Sequence, residues 1–120
     1  MANSGNILTK FYAAVAKRDL KTARKYLRDD LVFKGLFETY PDADSYLAAL
    51  TKLLSITVRL DVRAIVAQGD DAAVFFDLET KTPVEATTFV AEWHRMKEGK
   101  IHRVQSAFDG RAFARMFGGG

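Results

Sequence analysis

The chain has 120 residues, 48% of them hydrophobic, with 18 basic and 15 acidic side chains and no cysteine. That length supports one compact domain, residues 1–120, which buries roughly two-thirds of its unfolded surface without covalent staples. Disulfides, thiolate nucleophiles and cysteine zinc sites are excluded, and two histidines argue against a histidine metal cluster, so neither a metal nor a cofactor is expected. No apolar run approaches the roughly 20 residues of a membrane span. Met1 to Asn6 lacks the charged and apolar regions of a signal peptide, which predicts a cytoplasmic protein.

A first helix is predicted from about Gly5 to Lys17, capped by Ser4 or Asn6, with residues 1–5 disordered before it. Ile7, Leu8, Phe11, Tyr12 and Val15 share one of its faces. Asp19 caps a second helix running to about Arg28. Along it Lys17, Lys21, Arg24, Lys25 and Arg28 fall at helical spacing, opposite Leu20, Ala23 and Leu27. Such a stripe could meet an anionic partner, but charged residues are mostly solvated and no aromatics interleave with them, so no specific nucleic-acid binding is expected. Leu31-Val32-Phe33 reads as a short buried strand, and Gly35 to Pro41 as a loop carrying Leu36, Phe37 and Tyr40. Asp42 or Asp44 caps a third helix with Tyr46, Leu47, Leu50, Leu53 and Leu54 facing inward.

From Ile56 the period changes from 3.6 to 2. Ile56, Val58, Leu60 and Val62 alternate with polar residues along a half-buried strand. Gln68-Gly69-Asp70-Asp71 turns into a strand from Ala72 to Thr80, which Lys81-Thr82-Pro83 ends. Strands from Thr87 to Met96 and from Ile101 to Phe108 flank a turn at Glu98-Gly99. A short helix holding Phe113, Met116 and Phe117 follows, and Gly118 to Gly120 is expected to be disordered.

Helices followed by an antiparallel run predict an α+β fold, with three N-terminal helices on one face of a curved, mostly antiparallel sheet. The helix pair leading into Asp29-Asp30-Leu31-Val32-Phe33, the third helix, and the meander closing on Glu98-Gly99-Lys100-Ile101 together resemble the nuclear-transport-factor-2-like superfamily, particularly its SnoaL-like bacterial members. The resemblance covers roughly Ile7 to Phe117 and rests on element order. It implies a cone-shaped half-barrel around a deep pocket, and often a homodimer through the convex sheet face.

The Glu98-Gly99 turn predicts a register pairing Arg95 with His102, Trp93 with Val104, and Ala91 with Ser106. The cone is then lined by Phe76, Leu78, Phe89, Ala91, Trp93, Val104, Ser106 and Phe108, with Phe11 and Phe33 added from the helix and strand before them. Glu92, His94, Arg103 and Gln105 fall on the outer face, among Phe75, Val90, Met96, Ile101 and Ala107, as a predicted dimer surface in which Glu92 pairs with Arg103.

The enzymes of the superfamily set specific requirements. Ketosteroid isomerases use a tyrosine on the first helix, an aspartate base after the second, and a protonated aspartic acid on a late strand; these positions fall on Phe11, Gly35 and Ala91, which carry no such group. Tyr12 lies about 100° round the helix from Phe11. Limonene-epoxide hydrolases require Arg-x-Asp where this chain has Phe75-Phe76-Asp77. SnoaL-type cyclases use an acid and histidines near the ends of the last strands. Asp109 resembles that acid, and His102 beside Arg95 would lie near the mouth. The resulting expectation is a pocket that binds a small hydrophobic molecule. The alternatives are an isomerase, dehydratase or cyclase using Asp109, His102 or Tyr12, or a protein-interaction module using the basic helix or the outer sheet face.

Overall fold

Three short polar side chains start the three helices. Asn3 accepts from the Asn6 amide at 3.2 Å, Asp19 from Thr22 at 3.2 Å, and Asp42 from Ser45 at 2.8 Å. In the computed structural model, which describes residues 3–114, these caps open α1 (Ser4–Ala16), α2 (Leu20–Arg24) and α3 (Ala43–Ser55). The strands are β1 (Leu27–Lys34), β2 (Thr39–Tyr40), β3 (Thr57–Gln68), β4 (Asp71–Thr80), β5 (Ala86–Lys97) and β6 (Lys100–Phe108), followed by a 3₁₀ turn, Arg111–Phe113. The expected helical positions 116 and 117 and the glycine tail lie outside the described residues. Ser4 and Gly5, expected to be disordered, are already helical, and the Ser4 hydroxyl donates to the Gly69 carbonyl at 3.0 Å.

The second helix stops four residues short of the predicted Arg28. Leu27 is fully buried and pairs with Ile101, whose amide donates to the Tyr26 carbonyl at 2.8 Å. Burying Leu27 in the sheet outweighs continuing an exposed helix. The basic stripe therefore breaks up. Arg24 binds Asp29 at 2.6 Å and Asp44 at 3.0 Å, while Arg28, now on β1, meets Asp30 at 2.8 Å and Glu98 at 3.2 Å.

Among the described residues the sheet has the order β2-β1-β6-β5-β4-β3, antiparallel except where β1 runs parallel to β6. The helices cover one face of this α+β half-barrel, and the core joins Leu8, Phe11 and Val15 of α1 to Leu27, Leu31, Val74, Val90 and Ile101 of the sheet.

The sheet departs from regular alternation in several places. Twelve residues of β3 oppose ten of β4, because Val58 and Arg63 are extra residues in the ladder. Val58 is consequently 54% exposed, and Val62 36%, where the alternation predicted both inside. In the last hairpin Glu98 and Gly99 form the expected two-residue turn, at φ 53° and 77°, with Lys97 opposite Lys100. Met96 then faces Ile101, but Arg95 faces Arg103, so His102 is an extra residue. Beyond this bulge the pairs are His94 with Val104, Glu92 with Ser106, and Val90 with Phe108. From Val104 onward the inward phase of β6 is as predicted, but Ile101, expected on the outer face, is fully buried before the His102 bulge, and the phase of β5 is reversed: Val90, Glu92, His94 and Met96 are buried beneath the helices, and Phe89, Ala91, Trp93 and Arg95 face outward.

Candidate functional site

The space between α1, α3 and the concave sheet face is a cavity of about 160 Å³. Its walls are largely aliphatic and aromatic: Leu50, Leu53 and Leu54 from α3, Phe11 and Val15 from α1, Phe33 from β1, and Phe76, Leu78 and Val90 from the sheet. Phe33 stacks on Tyr46 with ring centroids 4.9 Å apart. Leu36 and Phe37, 50% and 37% exposed, border both cavity and solvent and mark the mouth. Both lie so close to Gly110 that a β-carbon there would fall 2.3 Å from a Leu36 methyl.

Of the pocket residues expected from sequence, Phe11, Phe33, Phe76, Leu78, Ser106 and Phe108 line this cavity. Val104 is buried on the inner face without bordering it. Ala91, Trp93 and Phe89 are on the opposite side of the sheet, the His102 bulge having exchanged the faces of β5. Trp93 is 52% exposed and donates from Nε1 to Asp71 at 3.0 Å.

The polar end of the cavity comes from residues assigned outward by sequence. Glu92 projects from β5 into the wall, and the Tyr12 hydroxyl donates to its Oε1 in a short hydrogen bond. Behind them lies His94, fully buried, with Nε2 3.0 Å from the Tyr12 hydroxyl and 3.6 Å from Glu92 Oε1. The tyrosine has one proton, which goes to the carboxylate. Its oxygen can therefore only accept from His94, and the network assigns a proton to Nε2. His94 Nδ1 is buried without a hydrogen-bond partner among the described residues. Burial, followed by the negative charge of Glu92, holds the Tyr12 phenol well above its ordinary pKa, so it remains a proton donor. Burial alone would raise the Glu92 carboxyl. Its polar neighbours, His94 first and then Tyr12 and Ser106, outweigh this and hold it below the ordinary range. The site can thus offer an ionised carboxylate and a neutral phenol side by side in an apolar chamber.

Tyr12 is the one catalytic candidate from sequence that the fold places here. Asp109 lies past β6, exposed, with Arg111 Nε 2.9 Å away; that guanidinium lowers its pKa to about 2. His102 sits in the bulge 3.6 Å from Asp30, and Arg95 faces outward to Asp71, so the expected His102–Arg95 neighbours are separated. Phe11 and Gly35 line the cavity without a titratable group, as expected. The strand position counted onto Ala91 is filled from inside by the adjacent Glu92, so a carboxyl is present there after all. Asp77 faces out and pairs with Arg63 at 3.4 Å. The available signal for Glu92 and His94 was the partner itself: Tyr12, on the predicted inner face of α1, needed a polar group opposite it.

No functionally curated protein matches the chain. Among solved structures, a Kribbella flavida protein superposes with a TM-score of 0.86 at 20% identity, covering 94% of this chain and 92% of its own. TerC, crystallised with polyporic acid, gives 0.79 at 21% identity over 94% and 96% of the two chains. An LEH-like epoxide hydrolase of M. tuberculosis gives 0.76 at 18% identity over 95% and 88%. At such identities the likeness is one of fold. Residues 8–104 match the SnoaL-like domain family, and with four-fifths of its length inside that match the chain belongs to this family.

Proposed function

We propose that the domain binds a small, mostly apolar molecule within the cone, its polar group directed at Glu92. The observation that carries this reading is the Tyr12–Glu92 pair bordering a largely apolar cavity. A carboxylate withdrawn from water costs several kcal/mol in desolvation, roughly, and an apolar side chain would serve the fold as well or better. Co-crystallisation of the similarly folded TerC with polyporic acid is consistent with an organic ligand in such a domain. Native mass spectrometry of the protein purified from its own host is expected to show a small mass increment that Ala49→Trp lacks, since Ala49 of α3 lines the cavity and the larger ring would fill it. An unliganded mass together with no uptake from an apolar extract of that host would sink the reading.

A second reading, acid–base catalysis, is favoured by the hydrogen bond between Tyr12 and Glu92. The carboxylate is suited to take a proton from a carbon or hydroxyl acid and the phenol to steady the developing oxyanion. Ketosteroid isomerisation is not the reaction expected, since Phe11 and Gly35 leave no base opposite and the cavity is smaller than the roughly 300 Å³ at which drug-sized ligand pockets begin. A spectrophotometric assay with an unsaturated ketosteroid is expected to stay at the no-enzyme rate, and turnover clearly above it would reject that expectation.

The convex face is proposed to pair with a second copy. Phe75 and Phe89 stack there with centroids 6.2 Å apart, beside Trp93 and Val66, exposed by 52% and 61%. The ion pairs Asp71–Arg95 and Asp77–Arg63 supply both charge signs around them, as a two-fold contact requires. The Glu92–Arg103 pairing expected from sequence is unavailable, because the two residues lie on opposite faces. Light scattering at micromolar concentration should give about twice 13.4 kDa, and Trp93→Asp should return the monomer mass. A monomer across the accessible range would reject the dimer. Neutralisation of Arg24 and Arg28 leaves the helical corner suited only to weak, salt-sensitive contact with nucleic acid. Among the described residues no helix is long and apolar enough to cross a membrane.

A further inference from the structure

We infer that the cavity selects a neutral, single-ring compound carrying a hydroxyl or other hydrogen-bond donor, and that Glu92 is the residue that rejects anions. This rests on the ligand-binding reading above and specifies its ligand class. Three observations converge on it.

The first is size. Closed apolar cavities of about 150 Å³ hold one benzene-sized ring, and this one measures about 160 Å³. A second ring would have to project past Leu36 and Phe37 at the mouth. The second is shape and surface: Phe11, Phe33 and Phe76 offer aromatic walls, which suit a flat ring. The third is charge. Among the described residues lining the cavity there is no lysine, arginine or histidine, and the two ionisable acids there are Glu92 within and Glu38 toward the mouth. A bound carboxylate or phosphate would lose its hydration, meet no cation, and lie against a like charge. A bound hydroxyl instead meets an acceptor. Tyr12 donates to Glu92 Oε1 and His94 and Ser106 also adjoin this carboxylate, so of the about four acceptor sites of an ionised carboxylate at least one is left for a ligand. The Glu92 side chain keeps 9% of its surface accessible.

A ligand series tests this without altering the protein. 4-Ethylphenol and ethylbenzene differ by one oxygen, and 4-ethylbenzoate, larger by a carboxylate, is paired with 4-ethylbenzamide, a neutral control of equal size that should still bind. By isothermal titration calorimetry on the full chain, 4-ethylphenol is expected to bind roughly tenfold or more tightly than ethylbenzene, since a hydrogen bond to a charged acceptor is among the strong ones. 4-Ethylbenzoate should show no heat of binding at neutral pH. Glu92→Gln, checked for folding by its thermal transition, should narrow the phenol–hydrocarbon gap and admit the benzoate. Benzoate binding equal to the phenol, or phenol and hydrocarbon binding alike, would overturn the selectivity while leaving the pocket reading intact. Binding by none of these compounds would remove the pocket reading itself, and this inference with it.

Discussion

Phe11→Ala is expected to cost about 3–5 kcal/mol, the range for deleting a fully buried aromatic ring. Phe11 is 1% exposed on α1, stands edge-on to Tyr12 with centroids 5.1 Å apart, and forms part of the cavity wall. The deleted ring leaves a void that adjoins an existing one, and a rim already open on one side has little to collapse onto. For a chain of this length the loss corresponds to a fall in Tm of about 12–20 °C, using the average unfolding entropy per residue. The enlarged chamber should also take up benzene or toluene, which would restore part of the lost stability by mass action. Denaturant titration with and without the hydrocarbon checks both halves. A loss below about 1 kcal/mol would show that the α1–sheet contact is looser than its burial implies.

The second large effect separates two roles for the buried polar cluster. Removing one member strands the others: Tyr12→Phe leaves the Glu92 carboxylate without its closest donor and should cost about 1–3 kcal/mol. Replacing all three together, with Tyr12→Phe, Glu92→Leu and His94→Leu, should be neutral or stabilising by about 1–4 kcal/mol, as is often found when buried ionic groups give way to apolar ones of similar size. The acid limb provides an independent readout. The folded Glu92 carboxyl lies below its unfolded value, so its contribution is complete above that unfolded value, about 4.3, and disappears as pH falls through the folded one. The triple variant should lack this part of the acid transition. If instead it is several kcal/mol less stable than the wild type at pH 7, the cluster serves the fold and the argument for a ligand role fails.

The starts of α2 and α3 were legible in the sequence because capping is local: Asp19 and Asp42 act on amides three residues away, whereas α1 is capped by Asn3 and not by the expected Ser4 or Asn6. Element order and the Glu98-Gly99 turn were legible for the same reason, since φ > 0 and two-residue hairpin loops leave marks in residue type. The walls contributed by β4 and β6 followed from alternation counted from neighbouring turns, which is how Phe76, Leu78, Ser106 and Phe108 come to border the cavity. What alternation could not supply was the number of residues spent on bulges. His102 carries no glycine or proline to announce one, and Trp93 and Phe89 look like better core than Glu92 and His94 when each is weighed alone. Only the tertiary partner Tyr12 makes the polar pair the inward one. The end of α2 was missed for a related reason, because the sheet claims Leu27 at a point where local propensity still permits helix.

The unequal residue counts along the sheet have a mechanical consequence. Over the ladder it shares with β5, β6 spends one residue more, and β3 spends two more than β4. Each residue adds roughly 3.3 Å of path. The extra residue at each bulge bends its strand and increases the local twist of the sheet. The shape of the hollow under the helices thus depends on chain length as well as on the residues that line it. Deleting His102 would leave Met96 opposite Ile101 and Arg95 opposite Arg103, so every side chain would keep its face and Glu92 would still point inward. The sheet would nonetheless lose a local bend, and the chamber is expected to change volume with no lining residue altered. Length polymorphism between Gly99 and Arg103 is therefore a route by which such a domain can retune the size of what it holds while its chemistry is inherited intact.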